Sequence, residues 1–177
     1  MGGMVFLTGR PGVGKTTVLL RVVDALKSRG LRVGGMVSRE VRKGGVRVGF
    51  EILDLDSGRR GWLAHVEQPT GPRVGKYRVN LADLEGVGVK AVDRAVRDAD
   101  VIAIDEVGPM ELYSRAFIEA VKNAMKCGKP LIATIHRRAR HPLISQIKSR
   151  KDVEIIEVTL ENRDKLPEVI ADKLVQT

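Results

Sequence analysis

The stretch "GRPGVGKTT" at residues 9–17 constrains this chain more than any other feature of its sequence. It contains the pattern G-x-x-x-x-G-K-[ST] in full, and the apolar run "MVFL" precedes it. Glycines let the backbone curl so that successive N–H groups point inward at phosphate oxygens, and a following helix adds the positive end of its dipole. The pattern therefore predicts a phosphate-binding loop between a buried strand and a helix.

Two side chains of this loop have predicted chemical roles. We expect Lys15 to reach the β- and γ-phosphates of a nucleotide and to act in catalysis, and we expect the Thr16 hydroxyl to bind Mg²⁺. The predicted nucleotide-binding residues of the loop are Gly9, Arg10, Pro11, Gly12, Val13, Gly14, Lys15, Thr16 and Thr17.

An apolar run that ends in two carboxylates, "VIAIDE" at residues 101–106, supplies the second half of such a site. We expect Asp105 to hold Mg²⁺ through a water and Glu106 to accept a proton from the attacking water. Adjacent side chains on a strand point to opposite faces, so we expect the two carboxylates to do different work. "DEVG" also fits the D-x-x-G of switch GTPases, but the guanine-reading N-K-x-D is absent and "NRDK" at 162–165 does not replace it.

Further polar side chains follow other predicted strands. Thr134 could contact the γ-phosphate or the attacking water, or could simply be a β-branched strand residue. His136 could contact phosphate or lie in a solvated basic loop. Several basic residues of predicted loops could likewise contact phosphate or serve as an arginine finger, or could simply be part of a solvated or structural loop. These residues are Arg73, Lys76, Arg137, Arg138 and Arg140. Near the C-terminus, Asn162 could hydrogen-bond a base and Arg163 could stack on one, although a helix cap explains both residues equally well.

Strand-like and helix-like segments alternate along the chain. Predicted strands lie at 4–9, 32–41, 100–108, 130–136 and 153–159, and predicted helices at 14–30, 84–96, 110–128, 141–150 and 161–176. This alternation predicts an α/β fold with a mostly parallel sheet covered by helices on both faces. Period-2 apolar residues around "DSG" at 46–66 predict an inserted antiparallel hairpin.

Length and composition narrow the class of protein. The 177 residues contain no linker-like stretch or repeat, which predicts a single domain over 1–177. Cys127 is the one cysteine, which excludes an intramolecular disulfide and a cysteine-rich zinc site. No apolar run approaches the roughly 20 residues that span a bilayer, and no signal-peptide layout is present. We expect a cytoplasmic protein with no membrane partner, and a monomer in preference to an oligomer. The many Lys, Arg and Glu residues favour a thermophilic source.

The net charge of +9 fits an anionic ligand. Nucleoside triphosphates are the predicted partners. Nucleic acid is possible but not favoured, because the charge is spread along the chain and aromatic residues, at 3%, are too few for a stacking platform.

Six segments together carry a family resemblance: "TGRPGVGKTT", "GGMVSREVR", "RVGKY", "IDEVGPMEL", "ATIHRR" and "VTLENRDKLPE". In this order and spacing, from about residue 3 to 175, the chain resembles the small archaeal and bacterial nucleoside-triphosphatases grouped with the human cancer-related nucleoside-triphosphatase. The resemblance implies a P-loop fold and Mg²⁺-dependent hydrolysis of ATP, GTP and other NTPs to NDP and phosphate, with low base selectivity. By motif match, Gly9 to Thr17 form the phosphate loop and Asp105 and Glu106 form the acidic pair.

Hydrolysis of nucleoside triphosphates is thus the function that the sequence favours. A P-loop kinase acting on a nucleoside or small molecule is the alternative, because the arginines of 136–150 could form a lid that excludes water. Against it, a glutamate beside Asp105 suits activation of water. An RNA-associated protein that uses an NTP as a switch is a third possibility.

Overall fold

A nine-stranded sheet runs through the computed structural model, which describes residues 3–176. The strands are β1 (Met4–Thr8), β2 (Val33–Lys43), β3 (Val46–Asp54), β4 (Arg60–His65), β5 (Arg73–Val74), β6 (Tyr77–Val79), β7 (Val101–Val107), β8 (Leu131–Ile135) and β9 (Val153–Glu157). Across the sheet their order is β5-β6-β4-β3-β2-β7-β8-β1-β9.

Six α-helices connect and cover these strands in the described part of the chain. They are α1 (Lys15–Ser28), α2 (Leu81–Asp83), α3 (Lys90–Asp98), α4 (Arg115–Lys126), α5 (Pro142–Ser149) and α6 (Leu166–Val175). A π-helical segment at Leu84–Val89 joins α2 to α3, and a 3₁₀ turn at Glu111–Tyr113 precedes α4. None of the helices described between residues 3 and 176 has the length and apolar character needed to cross a membrane.

The sheet has a parallel half and an antiparallel half. Strands β2, β7, β8, β1 and β9 pair in parallel, and β3, β4, β6 and β5 extend the sheet beyond β2 in antiparallel pairs. The α/β fold is confirmed, but the antiparallel part is larger than one inserted hairpin. Sequence periodicity missed β5, because this strand is only two residues long and pairs with β6 across a tight turn at Gly75 (φ 60°).

Helices bury both faces of the parallel half. Along β1, Met4 and Phe6 belong to the apolar cluster shared with α3, α4 and α5, whereas Val5 and Leu7 belong to the cluster shared with α1 and α6. Burial on both faces is the arrangement expected of parallel strands. It brings the carboxyl ends of β1, β7 and β8 to one edge, where α/β sheets bind ligands.

Gly35 of β2 allows its strand to lie close to β7. Its φ is 123°, and a side chain there would clash with the carbonyl oxygen of Ala103. This close approach matters for the site, because β7 ends in the acidic pair.

Candidate functional site

The loop between β1 and α1 has the backbone that its glycines predict. Gly12 and Gly14 have φ values of 78° and 110°, in the left-handed region that other residues enter with strain. Gly14 is also the N-cap of α1, so no side chain satisfies the first N–H groups of this helix. Those N–H groups, together with the helix dipole, form an anion-binding surface.

The Lys15 ammonium lies over this loop. Its Nζ donates a hydrogen bond to the carbonyl oxygen of Gly9 at 2.8 Å, and the side chain is half-buried. A cation held here faces any phosphate bound by the loop N–H groups.

The Asp105 carboxylate joins the phosphate loop to the middle of the sheet. Its Oδ2 accepts a hydrogen bond from the Thr16 hydroxyl at 2.9 Å, and its Oδ1 accepts one from the Thr134 hydroxyl at 2.6 Å. Thr134 is fully buried, and its hydroxyl contacts this carboxylate from the neighbouring strand β8. Burial raises the pKa of Asp105, and the hydrogen bonds from Thr134 and Thr16 oppose that rise.

Glu106 faces the same cavity as Asp105. The expectation that adjacent side chains point to opposite faces is therefore wrong here. The register between β7 and β8 shifts between Ile104 and Val107, and such an irregularity interrupts strand alternation. Burial, followed by the charge of Asp105, raises the pKa of Glu106 to about 7, against the opposing effect of Lys15.

A third carboxyl group, Glu111, was not singled out from the sequence. It lies in the 3₁₀ turn after β7, is 2% exposed and lines the cavity. Burial, and then the charge of Glu106, raises the pKa of Glu111 well above its usual range. Apart from its place inside "IDEVGPMEL", nothing distinguishes this glutamate from the others in the sequence.

These groups surround a cavity of about 650 Å³. The predicted loop residues that line it are Gly9, Pro11, Gly12, Gly14, Lys15, Thr16 and Thr17. Arg10 and Val13 line a neighbouring cavity of about 250 Å³ at the end of β9 instead. The main cavity thus brings the predicted phosphate loop together with the carboxyl groups of Asp105, Glu106 and Glu111.

Of the basic residues at 136–140, after β8, some line the main cavity and others do not. His136 and Arg137 line the main cavity, whereas Arg138 and Arg140 are exposed. Burial, with Lys15 and Arg138 nearby, lowers the pKa of His136 and so favours its neutral imidazole. Its Nδ1 accepts a hydrogen bond from the Arg138 backbone N–H at 3.2 Å.

Arg73 and Lys76, the two basic residues predicted to lie in a glycine- and proline-rich loop, are found in β5 and in the turn that follows it, respectively. The Lys76 Nζ lies 5.5 Å from the centre of the Tyr77 ring.

Asn162 and Arg163 lie in the segment after β9, where Arg163 reaches the phosphate loop at Val13 and Gly14. The Asn162 amide accepts from the Thr159 N–H at 2.8 Å and donates to the Glu157 carbonyl at 2.8 Å, so it holds the turn after β9. Arg163 donates to the Val13 carbonyl at 3.2 Å and packs beside Gly14. A cavity of about 260 Å³ is open here, lined by Gly14, Thr17, Val18, Arg21, Arg163 and Asp164.

Oxygen donors suited to Mg²⁺ meet where Thr16 contacts Asp105. Within residues 3–176, no three His, Cys, Asp or Glu side chains are grouped so as to hold a metal ion. A cation at this point would therefore depend on substrate phosphates and water for most of its ligands, as Mg²⁺ in nucleotide sites does.

Comparison with known sequences gives one consistent result. A family model described as NTPase matches residues 4–171. The nucleoside-triphosphatase THEP1 of Thermofilum pendens is 53% identical over 169 residues, which cover 95% of this chain and 93% of that protein. THEP1 of Methanopyrus kandleri is 47% identical over 173 residues, covering 97% and 95%.

Solved structures agree with the sequence matches. The crystal structure of THEP1 from the hyperthermophile Aquifex aeolicus superimposes with a TM-score of 0.85 at 34% identity, covering 98% of this chain and 99% of that one. The solution structure of a human cancer-related nucleoside triphosphatase gives a TM-score of 0.80 at 40% identity, covering 96% of both chains.

Proposed function

The chain belongs to the NTPase family and is a nucleoside-triphosphatase, and from that premise we propose that its hydrolysis of NTP to NDP and phosphate requires Mg²⁺ and discriminates little between bases. The observation that carries the proposal is the 2.9 Å contact between the Thr16 hydroxyl and the Asp105 carboxylate. It brings the end of the phosphate loop to the acidic end of β7, where both can serve one cation.

Binding of the triphosphate is the work of the loop. The N–H groups at the start of α1 and the Lys15 ammonium bind the phosphate oxygens, and Gly12 and Gly14 let the backbone approach them closely. Thr16, and Asp105 through a water, would hold Mg²⁺, which neutralises charge on the β- and γ-phosphates. Thr134 fixes the rotamer of Asp105 through the 2.6 Å hydrogen bond.

Glu106 is the proposed general base. It lines the same cavity as Lys15 and the other loop residues. A water between Glu106 and the γ-phosphate would attack phosphorus as its proton moves to the carboxylate and the bond to the β-phosphate oxygen breaks. Positioning and charge neutralisation account for most of the acceleration in such reactions.

Weak base selectivity follows from the surroundings of Arg163. Its guanidinium offers a flat cation on which any base can stack, whereas the polar atoms of Asn162 are engaged in the turn. A base contact by Asn162 would require these hydrogen bonds to break, so we assign the base side chiefly to Arg163 and Thr17.

Phosphate release from a panel of NTPs, measured with Mg²⁺ and with excess chelator, tests the proposal. We expect turnover of every NTP with Mg²⁺ and loss of turnover with chelator. Turnover that survives chelation would contradict the assignment of Thr16 and Asp105.

A further inference from the structure

The main cavity extends well past the phosphate loop. Its far wall comes from the antiparallel half of the sheet: Phe50 of β3, Leu63 of β4 and Val74 of β5, with Met110 from the segment after β7. Charged side chains of both signs stand at its rim: Arg39, Glu40 and Arg47. We call this part of the cavity the outer chamber.

Hydrolysis by itself does not require the outer chamber. The triphosphate, Mg²⁺ and the attacking water are assigned to the phosphate loop and the acidic pair, whereas Phe50, Leu63 and Val74 line a part of the same cavity that other strands contribute. Small-molecule sites typically measure about 300–1,000 Å³ and combine apolar walls with a few polar groups. Because the base of the triphosphate is assigned to the cavity beside Arg163, the outer chamber is left for another group.

The aromatic surface of the outer chamber is held in place. The Phe50 ring meets the Tyr77 ring edge-on, with centroids 5.2 Å apart and planes at 67°. The Arg47 guanidinium lies 5.3 Å from the Phe50 centroid, and its Nε donates to the Tyr77 hydroxyl at 2.9 Å. A flat ligand would meet a surface that needs little ordering on binding.

Strand β2 connects this wall to the catalytic carboxylates. Met36 pairs with Ile104, immediately before the acidic pair, and four residues further along β2 Glu40 pairs with Phe50. Phe50 and the acidic pair are therefore connected through paired strands, and both line the same cavity.

We propose that the outer chamber binds a nucleoside as a second substrate and that a nucleoside hydroxyl replaces water as the acceptor of the γ-phosphoryl group. This rests on the triphosphate placement given under the proposed function. A flat base fits the surface formed by Phe50, and a neutral ligand fits a rim that carries both arginines and Glu40.

The transfer is balanced without any further reactant. The nucleoside hydroxyl oxygen forms a bond to the γ-phosphorus, and the bond from that phosphorus to the bridging β-phosphate oxygen breaks. The electron pair leaves with NDP, and the hydroxyl proton passes to Glu106. When no nucleoside is bound, water enters the same position and hydrolysis results.

The test uses γ-³²P-labelled ATP, Mg²⁺ and, one at a time, adenosine, guanosine, cytidine, uridine and thymidine. We expect one or more of them to yield a labelled nucleoside monophosphate while release of labelled phosphate falls by the same amount. If labelled phosphate is the sole product with every nucleoside, or if a nucleoside alters its release without becoming labelled, the transfer proposal is overturned. Absence of any ATP turnover would instead count against the proposed hydrolase function.

Two variants and a control locate the effect. Phe50→Ala should raise the KM for the nucleoside at least about tenfold and leave hydrolysis without nucleoside within about twofold of wild type. Arg39→Ala, a change at an exposed rim position, should weaken nucleoside use in a protein that keeps its core. Val46→Ala is the matched control, because Val46 lies on β3 as Phe50 does and is 58% exposed. Unchanged nucleoside use in both Phe50→Ala and Arg39→Ala would overturn the assignment of the outer chamber.

Discussion

The Thr134 hydroxyl donates a 2.6 Å hydrogen bond to Oδ1 of Asp105 from the neighbouring strand β8, and both side chains are buried. The other oxygen of the same carboxylate accepts from Thr16 at the start of α1. One carboxylate is thus fixed from the sheet on one side and meets the phosphate loop on the other. The position of this carboxylate, and with it the proposed cation site, therefore depends on Thr134, a fully buried residue outside the phosphate loop.

Thr134→Val tests this dependence, because valine keeps the shape of the side chain and removes the hydroxyl. We expect the Mg²⁺ concentration for half-maximal turnover to rise about tenfold, since Asp105 loses one of the hydrogen bonds that fix it. Stability should fall by about 1–3 kcal/mol, because the buried Asp105 oxygen loses its partner. Thr134→Ser, which keeps the hydroxyl, is the control and should restore the Mg²⁺ dependence. Equal Mg²⁺ requirements in Thr134→Val and wild type would show that Asp105 needs no such support.

Lys15→Ala removes the cation above the loop. The Lys15 ammonium hydrogen-bonds carbonyls of its own loop, and the residue belongs to neither apolar cluster, so the fold should survive its loss. We expect weaker NTP binding and a fall in kcat/KM of about 100-fold or more, as when other preorganised charge-stabilising groups are removed. Circular dichroism establishes folding, and phosphate release gives the rate. A folded variant with near wild-type turnover would refute the phosphate-loop assignment.

Asp54 makes stability depend on pH away from the site. Burial acts to raise its pKa, but hydrogen bonds from Ser57, Arg94 and Asp56 outweigh burial and hold the pKa below its usual value. The Arg94 contact is 2.7 Å. A lowered folded-state pKa contributes stability that is present above the unfolded pKa of about 3.9 and is lost as pH falls through the folded value.

Asp54→Asn should therefore cost about 1–3 kcal/mol of unfolding free energy at pH 7, and the difference from wild type should shrink below about pH 4. Urea unfolding at a series of pH values measures both effects. Asp56→Asn, at an exposed ion pair, is the control and should cost less than about 1 kcal/mol. A difference between Asp54→Asn and wild type that is constant across pH would contradict the assigned ionisation.

The sequence predicted those candidate site residues whose positions depend on their own segment of the chain. The loop of residues 9–17 and Asp105 could be found because a glycine loop between strand and helix, and an acidic end of a buried strand, each fix their own local structure. The role of Thr134 stayed open, since a hydroxyl finds its partner through strand order, which the sequence does not state. The expectation that Asp105 and Glu106 point to opposite faces was wrong because the irregularity between Ile104 and Val107 leaves no mark in the apolar pattern.

The outer chamber could not be predicted from the sequence, because it too depends on strand order. Its wall forms where residues distant along the chain, such as Phe50 and Met110, meet across the antiparallel strands and the segment after β7. Each is an ordinary apolar residue within its own segment. Their common role depends on long-range pairing that no local period encodes.

Discrimination between ATP and GTP should be small. A site built to hydrogen-bond one base rejects others by about 10⁴-fold or more, whereas the cavity beside Arg163 offers a stacking surface and an Asn162 amide engaged in its own turn. Competition binding with both nucleotides measures the ratio directly. A preference above about a thousandfold would show that the base is read by groups other than these.

The central claim is that the two neighbouring carboxylates divide the work, with Asp105 serving the cation and Glu106 the water. Glu106→Gln keeps the shape of the side chain and removes the base, so its effect should appear in the transition state alone. Asp105→Asn should instead raise the Mg²⁺ requirement and damage binding and turnover together. Both variants can be titrated with a fluorescent NTP analogue to establish binding before turnover is compared.

Single-turnover hydrolysis by Glu106→Gln, measured beside its affinity for Mg²⁺ and NTP, is the most direct test. We predict wild-type affinity with a rate lower by about 100-fold or more, the usual scale of general base catalysis. Hydrolysis at the wild-type rate would contradict the account, and His136, which lines the same cavity, would then be the next candidate for holding the water.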